Sequence, residues 1–293
     1  MNRKKFILFI IFSAIFVGFS IFFNLINLIT DWFWFKGVGF ENVFTTILNA
    51  KIGLGLIAGF ITFALVYINL KIAFRVTRNK PTLIQRKENL APINLEKYIN
   101  KLAILFSLII GFFTGLAGSV NWEVFLKYLN STSFGILDPI FNRDISFYFF
   151  TLPFLEVVTG FLLWVVLVSL FTSILIYFSK GEFAFLSQKL KPIRYSSEGK
   201  IIEEKIARGP KIHLLLISFF FFLIIAIKTY FIRIPGLLYS HTGPFTGASF
   251  TDINASLPVL KVLSLILAVA ALICLISIFR KTYRMLIGVI SIY

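Results

Sequence analysis

Apolar residues in this chain are gathered into long runs that are separated by polar segments. A helix that crosses a bilayer needs roughly 20 predominantly apolar residues. Six runs reach that length, and a shorter one closes the sequence. They lie at about 6–29, 52–70, 102–120, 150–178, 212–231 and 257–279, with the partial run at 285–293. The pattern predicts an all-α fold: a polytopic transmembrane helix bundle with six full spans and the start of a seventh, forming one domain over residues 1–293.

The first apolar run follows a basic tail and resembles a signal peptide only at first sight. Its apolar part is longer than the 7–15 residues of a signal peptide's hydrophobic region. It leads into Asp31-Trp32-Phe33-Trp34, where a cleaved signal would have small residues. We therefore interpret it as an uncleaved first helix.

The composition is typical of a protein that is surrounded mostly by lipid. Apolar types make up 58% of the residues and charged types 14%, where a soluble domain has about 25%. With one Cys no intrachain disulfide can form, and Cys274 in an apolar run is interpreted as a buried thiol. The two histidines, His213 and His241, lack a companion at ligand spacing, so we expect no metal site and no cofactor. Familiar phosphate-loop and hydrolase motifs are absent from the sequence.

The basic residues predict the orientation. The tail 1–5 and the segments 71–101, 180–211 and 280–284 carry 22 of the 29 Lys and Arg residues. These segments alternate with the spans, and the whole net charge of +16 falls on them, as the positive-inside rule requires. The N-terminus is thus predicted to be cytoplasmic and the protein to be a multi-pass protein of the plasma membrane. Anionic lipid headgroups are the expected partners of the basic loops, and nucleic acid is not expected.

The outer segments carry aromatic residues and helix-capping signals. Trp122, Phe125, Tyr128 and Leu129 have near-helical spacing, which predicts a short helix in the membrane interface. Asp144 is a candidate cap for the fourth span. For the sixth span, the candidate caps are the hydroxyl residues Thr251 and Ser256.

Two pairs of glycines have the spacing that lets helix backbones approach closely. Gly55 and Gly59 lie in the second span, and Gly111 and Gly115 in the third. Packing within one bundle is the structural interpretation, and a dimer face is the alternative.

Ionisable residues within or beside apolar runs are candidates for function. Glu156, Lys228 and Lys261 are each far from the cytoplasmic end of their run, so all three are predicted near the outer boundary. Their side chains could simply reach the headgroups. The alternative is a polar cluster, joined by Arg233, that fixes three helices or lines an outward-facing cavity. No catalytic, cofactor-binding or metal-binding residue is predicted.

Three stretches resemble the uncharacterised protein family UPF 0182, bacterial multi-pass membrane proteins. They are Asp31 to Phe35 with Gly37 to Phe40; Asp138 to Phe141 with Arg143 to Tyr148 and Thr151 to Leu155; and Leu237 to Ser240 with Gly247 to Asp252 and Leu257-Pro258. The resemblance implies about seven N-terminal helices and a large extracytoplasmic C-terminal region, so this chain is expected to be an N-terminal membrane fragment. It implies no activity and no catalytic residues.

Three functions remain open at this point. The first is an anchor and interaction platform for an extracytoplasmic region, with protein partners on the outer face. The second is a transporter or channel, although the middle of the spans contains no ionisable residue. The third is a membrane enzyme acting on lipid or envelope substrates, with Asp138, Asp144, Asp252 and His241 as candidates if they meet in one outer pocket. Enzymatic activity is not the favoured interpretation, since each acidic residue is also a turn former or helix cap.

Overall fold

The computed structural model describes residues 25–77, 96–182, 208–239 and 247–279, together with positions 12, 19, 22 and 23. This part of the chain is helical and contains no strand, which confirms the all-α prediction. The helices are α1 (25–37), α2 (Glu41–Val76), α3 (Glu96–Ser119), α4 (Trp122–Leu129), α5 (Leu152–Ser179), α6 (Arg208–Lys228) and α7 (Leu257–Phe279).

Five of the described helical segments are long and apolar enough to cross a membrane. They are Glu41–Val76, Asn100–Ser119, Phe147–Ser179, Arg208–Tyr239 and Asp252–Phe279, and they match the second to sixth predicted runs to within one residue of each run's limits or extend beyond them. Most of the first run and the partial run 285–293 lie outside the described residues. The bundle therefore agrees with the predicted order of helices for every run that the structure describes.

The long helices alternate in direction, which gives the bundle two distinct ends. At one end α2, α5 and α7 begin and α3 and α6 finish. This end carries the segments 120–151, 229–239 and 247–256 and is called the loop end. The opposite end leads into the basic segments 71–101 and 180–211 and is called the basic end. By the charge distribution, the loop end is the predicted outer side.

The outside of the bundle is apolar, and its interior contains polar as well as apolar side chains. Large apolar side chains cover the outside, among them Phe60, Phe112, Phe171 and Leu265. Hydroxyl and amide groups lie inside, at Thr62, Asn69, Ser107, Thr159, Ser173 and Ser264. In water such an exterior would be an aggregation site, whereas in lipid small polar side chains pack between helices and apolar ones face the acyl chains.

The two glycine pairs face each other across the contact between α2 and α3. A Cβ atom on Gly115 would lie 2.6 Å from the carbonyl oxygen of Gly55, and one on Gly111 would lie 2.8 Å from that of Gly59. These distances leave no space for a methyl group. The glycines therefore pack two helices of one chain together, as the structural interpretation predicted.

Hydrogen bonds from buried side chains join α5 to its neighbours. The amide of Asn69 in α2 donates to the carbonyl oxygen of Ser169 (3.1 Å) and to the hydroxyl of Thr172 (3.2 Å), and it accepts from Ser173 (3.1 Å). Nearer the basic end, the Tyr177 hydroxyl and His213 Nδ1 are 2.6 Å apart. These contacts fix the relative positions of α2, α5 and α6, and hence of the loop end that they support.

Candidate functional site

The turn 138–144 at the loop end is built around the carboxylate of Asp138. One oxygen accepts the backbone N–H groups of Ile140 (2.9 Å) and Phe141 (2.6 Å), and the other accepts that of Arg143 (2.8 Å). Burial raises the pKa of this carboxyl, but the hydrogen bonds donated to it outweigh burial, and the pKa lies below its usual range. The charge of Asp138 thus holds the turn together.

Asp144 closes the same loop and begins the next helix. Its carboxylate accepts the Ser133 hydroxyl and the backbone N–H groups of Gly135 (2.9 Å) and Ser146 (2.8 Å). The bond from Ser146 is an N-cap, which confirms the predicted role of Asp144. The Ser133 hydroxyl and the Ser146 N–H hold the pKa of this carboxyl well below its usual value.

The helix that becomes α7 starts with a reciprocal pair of hydrogen bonds. The hydroxyl of Ser249 accepts the backbone N–H of Asp252 (3.1 Å), and the carboxylate of Asp252 accepts the N–H (3.0 Å) and hydroxyl (2.8 Å) of Ser249. This is a capping box. The predicted caps Thr251 and Ser256 are therefore wrong, because the helix begins earlier than the apolar run.

The short helix α4 confirms the prediction of a helix at 122–129. Its aromatic residues pack on the start of α5: the ring of Tyr128 is stacked on that of Phe154, with centroids 3.9 Å apart. Phe125 lies against the same ring at 6.3 Å. The helix therefore forms a lateral wall of the loop end, and its location in the membrane interface stays a prediction.

Three π-helical turns lie at the loop end within the described residues. They are Phe147–Thr151 before α5, Thr229–Arg233 after α6 and Asp252–Ser256 before α7. In such a turn the hydrogen bond runs between residues five apart, so residues five apart become neighbours along the axis. In a regular α-helix they would be separated by about 140° around the axis. The turn 229–233 thereby brings Lys228 and Arg233 toward the same face.

The first two of these turns border a charged cavity of about 950 Å³ between the loop-end parts of α5, α6 and α7. It is lined by Tyr148, Phe149, Leu152, Pro153, Glu156, Lys228, Ile232, Arg233, Gly236, Leu237, Tyr239 and Leu260. Its charged groups are one carboxylate and two cations, of which Glu156 and Arg233 are exposed and Lys228 is half-buried. Such a cleft combines apolar walls with a few charged groups, as ligand-binding cavities do.

The structure brings three of the four predicted cluster residues to this charged cavity. Lys261 is exposed on α7 and does not line it, although its neighbour Leu260 does. Among the described residues, no salt bridge joins Glu156 to Lys228, Arg233 or Lys261. The charged side chains therefore face a common space without neutralising one another by direct contact.

The candidates for enzyme chemistry are engaged elsewhere. The carboxylates of Asp138, Asp144 and Asp252 accept hydrogen bonds that hold loops and helix starts, and none of them lines the charged cavity. His241 lies outside the described residues.

A second cavity, of about 840 Å³, lies between α2, α3, α4 and α5. Its walls are mostly apolar, with Ile57, Ile61 and Phe161 among them. Pro153 and Glu156 line both cavities, so the two spaces adjoin at the first turns of α5. Hydropathy alone does not predict these two cavities, because their positions depend on which faces of neighbouring helices lie apart from one another.

These features define the class of protein: an all-helical chain with several helices of membrane-spanning length and a charged cleft at one end of the bundle. Comparison with protein families matches residues 7–293 to the family described as "Uncharacterised protein family (UPF0182)". The chain belongs to this family. The resemblance that the sequence indicated is thereby confirmed.

Curated relatives of the chain come from bacteria and are much longer than it. A UPF0182 protein of Trichlorobacter lovleyi is 31% identical over 266 residues, covering 88% of this chain and 28% of the relative. One from Geobacter sulfurreducens is 30% identical over 296 residues, covering 97% of this chain and 30% of the relative. The chain thus spans less than a third of the length of these relatives. No solved structure gives a significant match.

Proposed function

We propose that this chain is an integral protein of the bacterial plasma membrane that anchors an extracytoplasmic region at its loop end. The membrane location is supported by the apolar exterior of the bundle, since water would leave Phe60, Phe112 and Phe171 unfavourably exposed. The basic segments at the opposite end would lie in the cytoplasm, where anionic headgroups attract Lys and Arg.

The observation that supports the anchor role is the dense hydrogen bonding of the loop end. Asp138, Asp144 and Asp252 each hold backbone groups of this end through several hydrogen bonds. These turn-forming and capping carboxylates keep the backbone of the loop end ordered. Order at this level suits a surface that supports other parts of a protein.

Exposed aromatic side chains give this end its contact surface. Phe250 is 83% exposed, and Trp34 and Phe134 are also exposed. Aromatic residues are enriched where proteins bind one another and where they meet a membrane interface. The length of the relatives adds to the argument, because most of their sequence lies outside the matched region.

A transporter would need a polar route through the bundle. The stretches 52–70, 102–119, 157–176, 214–227 and 262–279 contain no Asp, Glu, Lys, Arg or His. Carriers coupled to ions usually hold such residues near the middle of the membrane. The anchor is therefore the better-supported function.

Site-specific photocrosslinking in the native host tests the proposal. A photoreactive phenylalanine analogue replaces Phe250, and a matched control replaces Phe279, which is also 83% exposed but lies at the basic end. Position 250 is expected to crosslink to an extracytoplasmic polypeptide, identified by mass spectrometry, and position 279 is not. Crosslinks from position 250 to lipid alone, or to cytoplasmic proteins, would contradict the anchor role.

A further inference from the structure

We propose that the charged cavity binds the headgroup of a zwitterionic phospholipid, whose acyl chain enters the adjoining apolar cavity. The ligand class is a phosphodiester that bears a primary ammonium group, as in phosphatidylethanolamine. This inference rests on the proposed membrane location, and it assigns a ligand to the loop end independently of the anchor role.

The charges of the cavity match such a headgroup. Lys228 and Arg233 supply two cations toward one face of the π-helical turn 229–233, and a guanidinium binds phosphate oxygens through two parallel hydrogen bonds. Glu156 supplies an anion on the opposing helix α5. A purely anionic headgroup would leave this carboxylate without a partner, whereas the ammonium of a zwitterionic headgroup complements it.

The adjoining apolar cavity provides the space for the acyl chain of the ligand. Both spaces border Pro153 and Glu156, so a molecule that passed over this point of α5 would place a polar group in one and an apolar chain in the other. A free anion from solution would use only the charged cavity. The pairing of a charged and an apolar space is therefore the observation that favours a lipid.

The depth of the site also agrees with a lipid headgroup. Lys228 and Glu156 lie near the loop-end limits of their helices, and the tyrosines Tyr148 and Tyr239 line the same cavity. Tyrosine is enriched at the level of the headgroups, where its ring is in apolar surroundings and its hydroxyl reaches water. The site would thus open toward the outer leaflet.

Native mass spectrometry of the protein purified in detergent tests the assignment. Phosphatidylethanolamine, phosphatidylglycerol and water-soluble phosphoethanolamine are titrated separately. We expect the order of affinity to be phosphatidylethanolamine, then phosphatidylglycerol, then phosphoethanolamine. The Lys228→Gln and Arg233→Gln variants should each bind phosphatidylethanolamine roughly tenfold more weakly, as the loss of a charge-assisted hydrogen bond predicts.

Two matched variants separate the parts of the site. Lys261→Gln removes an exposed loop-end cation that does not line the charged cavity, and it should leave binding unchanged. Gly160→Leu adds a side chain to the apolar cavity at a position where a Cβ atom meets nothing within 4 Å. It should weaken lipid binding and leave phosphoethanolamine binding as it was. Glu156→Gln should remove the preference for phosphatidylethanolamine over phosphatidylglycerol.

The opposite outcomes would overturn the proposal. Equal loss in Lys261→Gln and Arg233→Gln would mean that general surface charge attracts the lipid. Phosphoethanolamine binding as tight as the lipid, with no effect of Gly160→Leu, would assign the cavity to a soluble anion instead. Recovery of the protein in the membrane fraction without selective lipid binding would refute this inference alone, whereas its absence from that fraction would refute the proposed membrane location.

Discussion

The hydroxyl of Tyr148 donates a hydrogen bond of 2.8 Å to the carboxylate of Asp138. Tyr148 lines the charged cavity, and Asp138 organises the turn beside it. One contact therefore links the wall of the cavity to the turn 138–144 at the loop end. A substitution at either residue should therefore alter the position of the other.

The Tyr148→Phe variant tests this link. It removes one donor from a buried carboxylate and should destabilise the loop by about 1–3 kcal/mol. Limited proteolysis between residues 130 and 147 should become faster than in the unmodified protein. Tyr230→Phe, at an exposed tyrosine of the same end, is the control and should not change the rate. Equal rates for Tyr148→Phe and the unmodified protein would mean that the bond contributes little.

The glycine contact between α2 and α3 predicts a graded response to alanine. Gly115→Ala and Gly111→Ala place a methyl group against a facing carbonyl oxygen and should destabilise the bundle by about 1–3 kcal/mol. Gly160→Ala adds the same methyl group in open space and should be neutral or stabilising by up to about 1 kcal/mol. Thermal unfolding in detergent measures the difference. Similar midpoints for all three variants would argue against the close approach.

Acid should loosen the loop 130–147. The folded-state pKa values of Asp138 and Asp144 lie below those of an unfolded Asp, which are near 3.9. Their stabilising contribution is therefore complete above about pH 5 and is lost as the pH falls from there toward the folded-state values. Hydrogen exchange of the loop, corrected for the intrinsic pH dependence of exchange, should accelerate below about pH 5.

A pair of variants controls the acid experiment. Asp144→Asn should reduce the pH dependence of the loop, because an amide does not titrate. Glu123→Gln removes an exposed carboxylate whose ion pair with Lys127 lies on α4, and it should keep the pH dependence of the unmodified protein. If Asp144→Asn retained the full pH dependence, Asp144 would not be its source.

Orientation is open to a labelling test. In a Cys274→Ser background, single cysteines at Ser133 and Thr242 should react with a membrane-impermeant thiol reagent in intact cells, and one at Ser197 should be protected. Ser133 is exposed at the loop end, and the other two positions lie in segments whose location the charge pattern predicts. Labelling at 197 with protection at 133 would reverse the threading.

Hydropathy was sufficient to predict the helices but not their ends. The run 52–70 predicts only the middle of α2, which starts at Glu41. A helix can continue through polar residues that lie outside the apolar run. Thr45 and Thr46 lie in this extension and direct their hydroxyls to carbonyl oxygens within the helix. Backbone hydrogen bonding determines where a helix begins and ends, and the pattern of apolar residues does not indicate these positions.

The charged cavity was only partly predictable for a similar reason. Depth along each run indicated that Glu156, Lys228 and Lys261 lie near one boundary, but depth does not say which way a side chain points. The π-helical turns decide that direction, and regular helical spacing would have set Lys228 and Arg233 far apart around the axis. The sequence carries no simple signal for such a turn.

The π-helical turn at Thr229–Arg233 also makes the chain tolerant of a change in length at this place. If Tyr230 were deleted, Lys228 and Arg233 would be separated by four residues in an ordinary helix, and residues four apart share a face. A deletion deeper in α6, such as that of Ile224, would instead rotate everything after it by about 100° relative to the preceding turns. The loss of one residue at this turn would therefore leave both cations facing the cavity, whereas a loss deeper in the helix would not.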